Sequence, residues 1–406
     1  MTTQENRSTI LEYIFRHAPV ARSTIAKKTQ ITPATVTSIS SNFIQEGIIR
    51  ELGSDETLGD SSPGRKKILL DIVPDHVYSM GVEFTLRHVR FLICNLRGKP
   101  VFETSILRKA EPKENITEFL IHKITEILDS LPEISNSLIG IGVAVPGHID
   151  HKQDKVIVNS STFPGFSGKE LKKRLPFPVI CENNVRCMAF GRYLFDKSSP
   201  ETFAFFHIGL GMFCAMMKDS RLFQGTNYYA GEIGHTIVNP EGKKCECGKR
   251  GCLQTYCSET WLLKYCRLLY NSNAATVLTS LKPSAEELTL EDISKAFSLG
   301  DPQVGSYIST ALKYLGVTIS NLAIIMNPDK IYLHCPLFSN KEISEELMDY
   351  IKQQLLFVDD PTDQTVNILP YNPLEGAAGA AAYAIKQFYI SVNHDHPSNG
   401  WFALEL

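Results

Sequence analysis

Three cysteines and one histidine carry the most specific chemistry in this chain. Cys245, Cys247 and Cys252 fall in a C-x-C-G-x-x-G-C run, with His235 just upstream. Zinc takes four nitrogen and sulfur ligands in a closed tetrahedron, and three cysteines with one histidine is one of its standard sets. Gly248 and Gly251 let the backbone turn tightly enough for the thiols to converge. His235, Cys245, Cys247 and Cys252 are therefore the expected ligands of one zinc ion. The competing reading, a loop of free or disulfide-bonded thiols, is disfavoured by this ligand spacing.

The stretch Gly231-Glu232-Ile233-Gly234-His235, with the cysteines and Gln254 behind it, resembles the signature of the ROK family (repressors, open reading frames and kinases). There G-E-x-G-H leads into C-x-C-G-x-x-G-C-x-E. The resemblance implies a structural zinc and a sugar pocket lined by the same segment. It also implies sugar contacts from Glu232, from the free nitrogen of His235 and from Gln254, where the family usually has Glu. An amide can still accept from a hydroxyl, and can donate as well. The family's E-N-D-A-N reads Glu182-Asn183-Asn184-Val185-Arg186, which adds Asn183 and Asn184 to the expected pocket, with Pro146-Gly147 and Gly165 nearby.

The catalytic parts of the family's kinases are altered. Asn184 replaces the proton-accepting Asp, and an amide cannot act as a general base. Glu83-Phe84-Thr85-Leu86-Arg87 stands for the D-x-G-G-T phosphate loop, and Gly209-Leu210-Gly211-Met212-Phe213 for G-T-G-x-G. Cβ atoms at these places obstruct approach of the backbone to phosphate. The adenosine-side L-G-G reads Leu333-His334-Cys335. Together these changes predict no nucleotide site, no catalytic residues and no enzyme.

The N-terminal elements read as a DNA-binding head. Asn6 to Arg16 carries an apolar stripe at helical spacing, and Ser23 is the expected cap of a second short helix. Thr32 caps a third helix, with Pro33 at its first position. That helix turns Val36, Ile39, Phe43 and Ile44 inward, and leaves Ala34, Thr35, Thr37, Ser38 and Ser41 outward. A solvated helix more usually carries Glu and Lys pairs there, whereas small hydroxyl side chains suit a major groove. Ile48–Leu52 and Ile68–Ile72 read as a hairpin whose connection is a wing, with Arg65, Lys66 and Lys67 at its return. The expected DNA contacts are Thr32, Ala34, Thr35, Thr37, Ser38, Ser41, Arg65, Lys66 and Lys67. This winged helix-turn-helix resembles the head of ROK repressors, and sugar kinases of the family lack it.

Charge agrees with that division. Residues 1–70 hold nine Lys/Arg against seven Asp/Glu, net +2, while the remaining 32 against 37 give −5. A basic head on an acidic body places any polyanion at the head. The 406 residues can bury a sizeable core. The polar N-terminus and the lack of eighteen consecutive apolar residues point to a cytoplasmic chain with no membrane partner, where thiols stay reduced. The remaining cysteines read as small core residues.

The expected fold is α/β: a winged helix-turn-helix over 1–74, then a two-lobed actin-like body of the ROK sugar-kinase type. Its first lobe should cover 75–195, its second 196–390 with the zinc loop and a closing helix, and a tail 391–406. No internal repeat is visible in the sequence. The expected function is a sugar-responsive transcriptional regulator, a repressor of carbohydrate-metabolism genes. It should bind double-stranded operator DNA as a homodimer or dimer of dimers, with a sugar or sugar derivative as effector. Two other readings remain: a ROK sugar kinase with an added head, and a regulator whose effector is a partner protein.

Overall fold

The computed structural model describes residues 2–54, 68–108, 115–150, 155–156, 163, 165–225, 229–355 and 366–391. The chain divides into two compact units, Met1–Ser199 with Leu374–Leu406, and Pro200–Pro373.

At the N-terminus, α1 (Thr3–His17) starts with a reciprocal cap: the Thr2 hydroxyl accepts from the Glu5 N–H, and the Glu5 carboxylate accepts from the Thr2 N–H. Ile10, Leu11, Ile14 and Phe15 form its buried stripe. Strand β1 (Val20–Ala21) runs straight into α2 (Arg22–Thr29), so Ala21 holds the cap position without a side-chain bond. Ser23, the expected cap, lies inside the helix instead. In α3 (Pro33–Gln45), Thr32 accepts from the Thr35 N–H at 3.3 Å, and Val36, Ile39 and Phe43 are buried. Strands β2 (Ile49–Ser54) and β3 (Ile68–Ile72) pair antiparallel, and β1 joins the far edge of β3. Arg65, Lys66 and Lys67, on the connection, lie outside the described residues.

The rest of the first unit is built on one five-stranded sheet. Strands β4 (Tyr78–Phe84), β5 (His88–Asn95) and β6 (Pro100–Leu107) form an antiparallel meander. Helix Ile116–Ser130 supplies the crossover that a parallel neighbour requires, and β7 (Leu138–Val145) lies parallel to β4. After the small pair β8 (Ile149–Asp150) and β9 (Lys155–Val156), β10 (Val179–Asn183) adds parallel to β7. The order is β10-β7-β4-β5-β6. Leu120, Ile124, Val82, Phe91 and Val143 are among the side chains of its core.

Helix Glu375–Ile385, expected with the second lobe, belongs to the first unit. Its alanines let sheet and helix backbones meet almost directly. A Cβ on Gly81 would fall 1.8 Å from the Ala377 carbonyl, and one on Gly142 1.9 Å from that of Ala380. The N-terminal elements are docked onto the same unit. Arg16, 5% exposed, donates to the carbonyls of Tyr193, Asp196 (3.1 Å) and Ser199 (2.7 Å). Lys386 pairs with Glu12 at 2.6 Å, and Arg97 bridges Asp71 and the Phe15 carbonyl.

In the second unit β11 (Phe203–Ile208), β12 (Met212–Lys218) and β13 (Arg221–Leu222) form a meander. Strand β14 (Lys330–His334) lies parallel to β11, and β15 (Val366–Ile368) parallel to β14. The order β13-β12-β11-β14-β15 repeats the topology of the first unit, a repeat that the sequence does not display. Residues 259–327 hold four α-helices, Glu259–Tyr270, Leu278–Leu281, Leu290–Ser298 and Pro302–Met326. Pro302–Met326 is long and apolar enough to cross a membrane by length and composition. Here its Val304, Ile308, Leu312, Leu315 and Ile319 are core residues of this unit, while Lys313 and Asn321 are exposed.

Candidate effector and metal site

The metal segment is shaped by its backbone. A 3₁₀ turn over Ile233–His235 presents the histidine, and isolated bridges Ile237–Cys252 and Lys244–Arg250 bring the two arms of the loop together. The Cys245 N–H donates to the Lys249 carbonyl and the Gly248 N–H to that of Cys245, closing a tight turn. Gly248 and Gly251 have φ of +88° and +69°, which side chains with a Cβ rarely adopt. A Cβ on Gly251 would also fall 1.5 Å from the Asn239 carbonyl. Both glycines of the motif are thus required by geometry.

Among the described residues, donor atoms of His235, Cys245, Cys247 and Cys252 lie within 4.8 Å of one another. The Cys247 and Cys252 sulfurs are 3.6 Å apart, and Cys245 Sγ is 3.7 Å from His235 Nδ1. Tetrahedral zinc with sulfur at 2.3 Å separates neighbouring sulfurs by about 3.8 Å, so the spacing fits that ion. His235 Nε2 points the other way, 3.8 Å from Glu232 Oε2. Gln254 is buried; its amide nitrogen donates to Glu246 Oε1 at 2.6 Å, and its oxygen lies beside Gly234.

Asn183 and Asn184 belong to the first unit, at the end of β10 and the start of helix Asn184–Phe195. Asn183 is buried and mostly committed to structure. Its oxygen accepts from the Val185 and Arg186 N–H groups and its nitrogen donates to the Gly147 carbonyl at 2.9 Å. Those bonds leave one amide hydrogen for a ligand. Asn184 is half-buried beside Glu83, whose charged carboxylate its amide favours. Burial raises the carboxyl of Glu83 above the usual range, and Arg90 at 3.3 Å opposes that shift. A second buried pair, Glu182 and Arg186 at 3.7 Å, lies one turn away and reaches Tyr383.

At the altered kinase positions the chain fills space with its own side chains. A Cβ on Gly231 would fall 2.3 Å from the ring of Phe213. His334 stacks between His207 and Tyr371, at ring-centroid distances of 5.2 and 4.9 Å. His207 Nδ1 and His334 Nδ1 are 3.0 Å apart. In the sequence no other histidine lies near His207. Its partner lies on the neighbouring strand, where β11–β14 pairing sets the two residues opposite each other.

On α3, Thr32, Ala34, Thr37, Ser38 and Ser41 are exposed and Thr35 is half-buried. Thr37 donates its hydroxyl to the Pro33 carbonyl and Ser41 to that of Thr37, each near 2.9 Å. Their oxygens therefore face outward as acceptors.

Two sheets of one topology and a His–Cys₃ cluster behind G-E-I-G-H define the class. The chain belongs to the ROK family, whose sequence profile matches residues 79–387. It is similar to the xylose repressor of Bacillus subtilis, 26% identical over 330 residues that cover 81% of each chain. It is also similar to the DNA-binding transcriptional dual regulator NagC of Escherichia coli, 25% identical over 340 residues, 82% of this chain and 80% of that one. Among solved structures, a ROK family transcriptional regulator, homolog of E. coli MLC protein, matches 96% of this chain and 98% of its own. Its TM-score is 0.76 at 22% identity. A ROK family glucokinase from Streptomyces griseus matches 76% of this chain and all of its own, with a TM-score of 0.63 at 20% identity. These structural likenesses establish the fold.

Proposed function

We propose that this chain is a sugar-responsive, DNA-binding transcriptional repressor with a non-catalytic kinase-like body. The observation that carries the reading is Asn184. An amide stands at the position of the proton acceptor, beside the carboxyl of Glu83, while the Glu232–His235 pair is intact. A sugar hydroxyl can be bound by such groups, but an amide at that position cannot take its proton. The names of the relatives in Bacillus and Escherichia, a xylose repressor and a DNA-binding regulator, support the same reading.

In this reading Glu232, the free nitrogen of His235, Gln254, Asn183 and Asn184 contact the sugar. Thr32, Ala34, Thr35, Thr37, Ser38 and Ser41 face the operator from a winged helix-turn-helix, with Arg65, Lys66 and Lys67 at the phosphates. His235, Cys245, Cys247 and Cys252 hold a structural zinc. When bound, that ion supplies rigidity to the segment presenting Glu232 and Gln254. The protein works in the cytoplasm as a homodimer or a dimer of dimers.

Calorimetry and gel shift on one sample test the reading. D-xylose and N-acetyl-D-glucosamine are the first sugars to titrate, and one of a wider sugar panel should give heat and change operator affinity. ATP should give neither heat nor turnover. Glu232→Ala should abolish the sugar response and leave operator binding intact. ADP release with accumulation of a sugar phosphate would establish the kinase reading instead.

A further inference from the structure

Two helices of the first unit begin at the same carboxylate and end at the same element. Helix Asn184–Phe195 opens with Asn184, whose amide lies beside Glu83. Helix Glu375–Ile385 opens against that carboxylate, since a Cβ on Gly376 would lie 2.3 Å from it. Midway the helices touch through glycine. A Cβ on Gly191 would fall 2.8 Å from Gly379 Cα, and one on Gly379 2.1 Å from the Cys187 carbonyl. Phe190 and Tyr383 then meet edge to face at 5.3 Å.

At their far ends both helices meet α1. The first spans 12 residues, about 18 Å of rise. The guanidinium of Arg16 is seated on carbonyls of its last turn and just beyond it, where a cation complements the helix dipole. The second hands over to Lys386 and Tyr389, which meet Glu12 and Phe15.

We infer that these two helices form a shaft that carries the state of the Asn184–Glu83 contact to α1, and that Arg16 is the joint at its end. The inference deepens the reading above, since it takes Asn184 as a sugar contact. A sugar hydroxyl at Asn184 engages the amide that lies beside Glu83, so occupancy bears on the first turn of both helices at once. Backbones in contact through glycine have no side chain to absorb a small displacement, and close-packed interiors transmit strain. The shift therefore arrives at the carbonyls that seat Arg16. A regulatory effect follows because α1 packs beneath α3, the helix proposed to read DNA.

The test needs no sugar. Full-length wild type, Asn184→Ala, Arg16→Met and the double variant are compared by two readouts. One is the Kd for a duplex that the wild-type chain selects from random DNA; the other is amide exchange over Thr3–His17. Asn184→Ala should shift both by about 5-fold or more in the wild-type background, and by less than about 2-fold beside Arg16→Met. Gly191→Ala, which wedges the shaft, should reproduce the shift. Gly305→Ala, in open space on helix Pro302–Met326, should not. Should Arg16→Met fail to fold, Glu12→Gln removes the Lys386 pair and takes its place in the cycle. Equal effects of Asn184→Ala in both backgrounds, with unchanged exchange in Gly191→Ala, overturn the inference even if a sugar acts on DNA binding. If no sugar and no duplex binds, the effector reading fails, and the exchange measurements still decide the shaft.

Discussion

At His334 the surroundings set the charge. The imidazole is buried on β14 between His207 and Tyr371, and burial pulls its pKa down to about 4. The unfolded chain binds that proton near pH 6.5. Between pH 6.5 and 4, therefore, the unfolded state carries a proton that the folded state refuses, and stability falls as pH falls through that window. Above it the residue contributes no slope. The full effect is on the order of 3 kcal/mol. His334→Gln should flatten this acid limb, read by urea unfolding at pH 7 and pH 4.5. Equal loss in both proteins would assign the slope to another group. Little of this was legible in the sequence, because the partner of His334 is 127 positions away and strand register alone brings them together. Asn184 and His235 were legible because their neighbours in the motif are neighbours in the chain.

Among the elements, the metal loop was read most fully in advance, since its ligands and turns lie within twenty residues of one another. Elemental analysis should give one zinc per chain. Cys247→Ser should lower that ratio and raise amide exchange over Ile233–Gln254, while exchange in β11 and β14 stays as in the wild type. Loss of protection throughout the second unit would mean that the ion organises more than its loop. Helix α3 was equally plain from Thr32-Pro33 and its apolar stripe. Replacing Arg65, Lys66 and Lys67 with Gln should lower operator affinity for every sequence and reduce the slope of log K against log salt by about 2.7. An unchanged slope would remove these residues from the phosphates. Helix Glu375–Ile385 was recognised as a helix but given to the wrong lobe. Alanines bury it on all sides, so it has no apolar stripe to indicate a partner. Arg16 left no trace either, because its partners are backbone carbonyls.

For the whole molecule, one recognition helix contacts too few bases to be specific in a genome, so two heads on a symmetric operator are expected. Light scattering should return twice the 45.4 kDa of one chain, or four times for a dimer of dimers. A monomer that still binds operator tightly would contradict this. The doubled sheet topology went unseen in the sequence because strand order is conveyed by pairing and not by residue identity. That doubling has a further consequence. In the first unit residues 108–137 join the third strand to the fourth, whereas in the second unit residues 223–329 join the matching pair. Among the described residues, the metal loop and five α-helices are all cargo on one crossover. Lengthening a connection by that factor adds only about 1 kcal/mol of chain entropy. The sheet thus places almost no limit on what this connection can carry, and a further module grafted there would leave the strand order untouched.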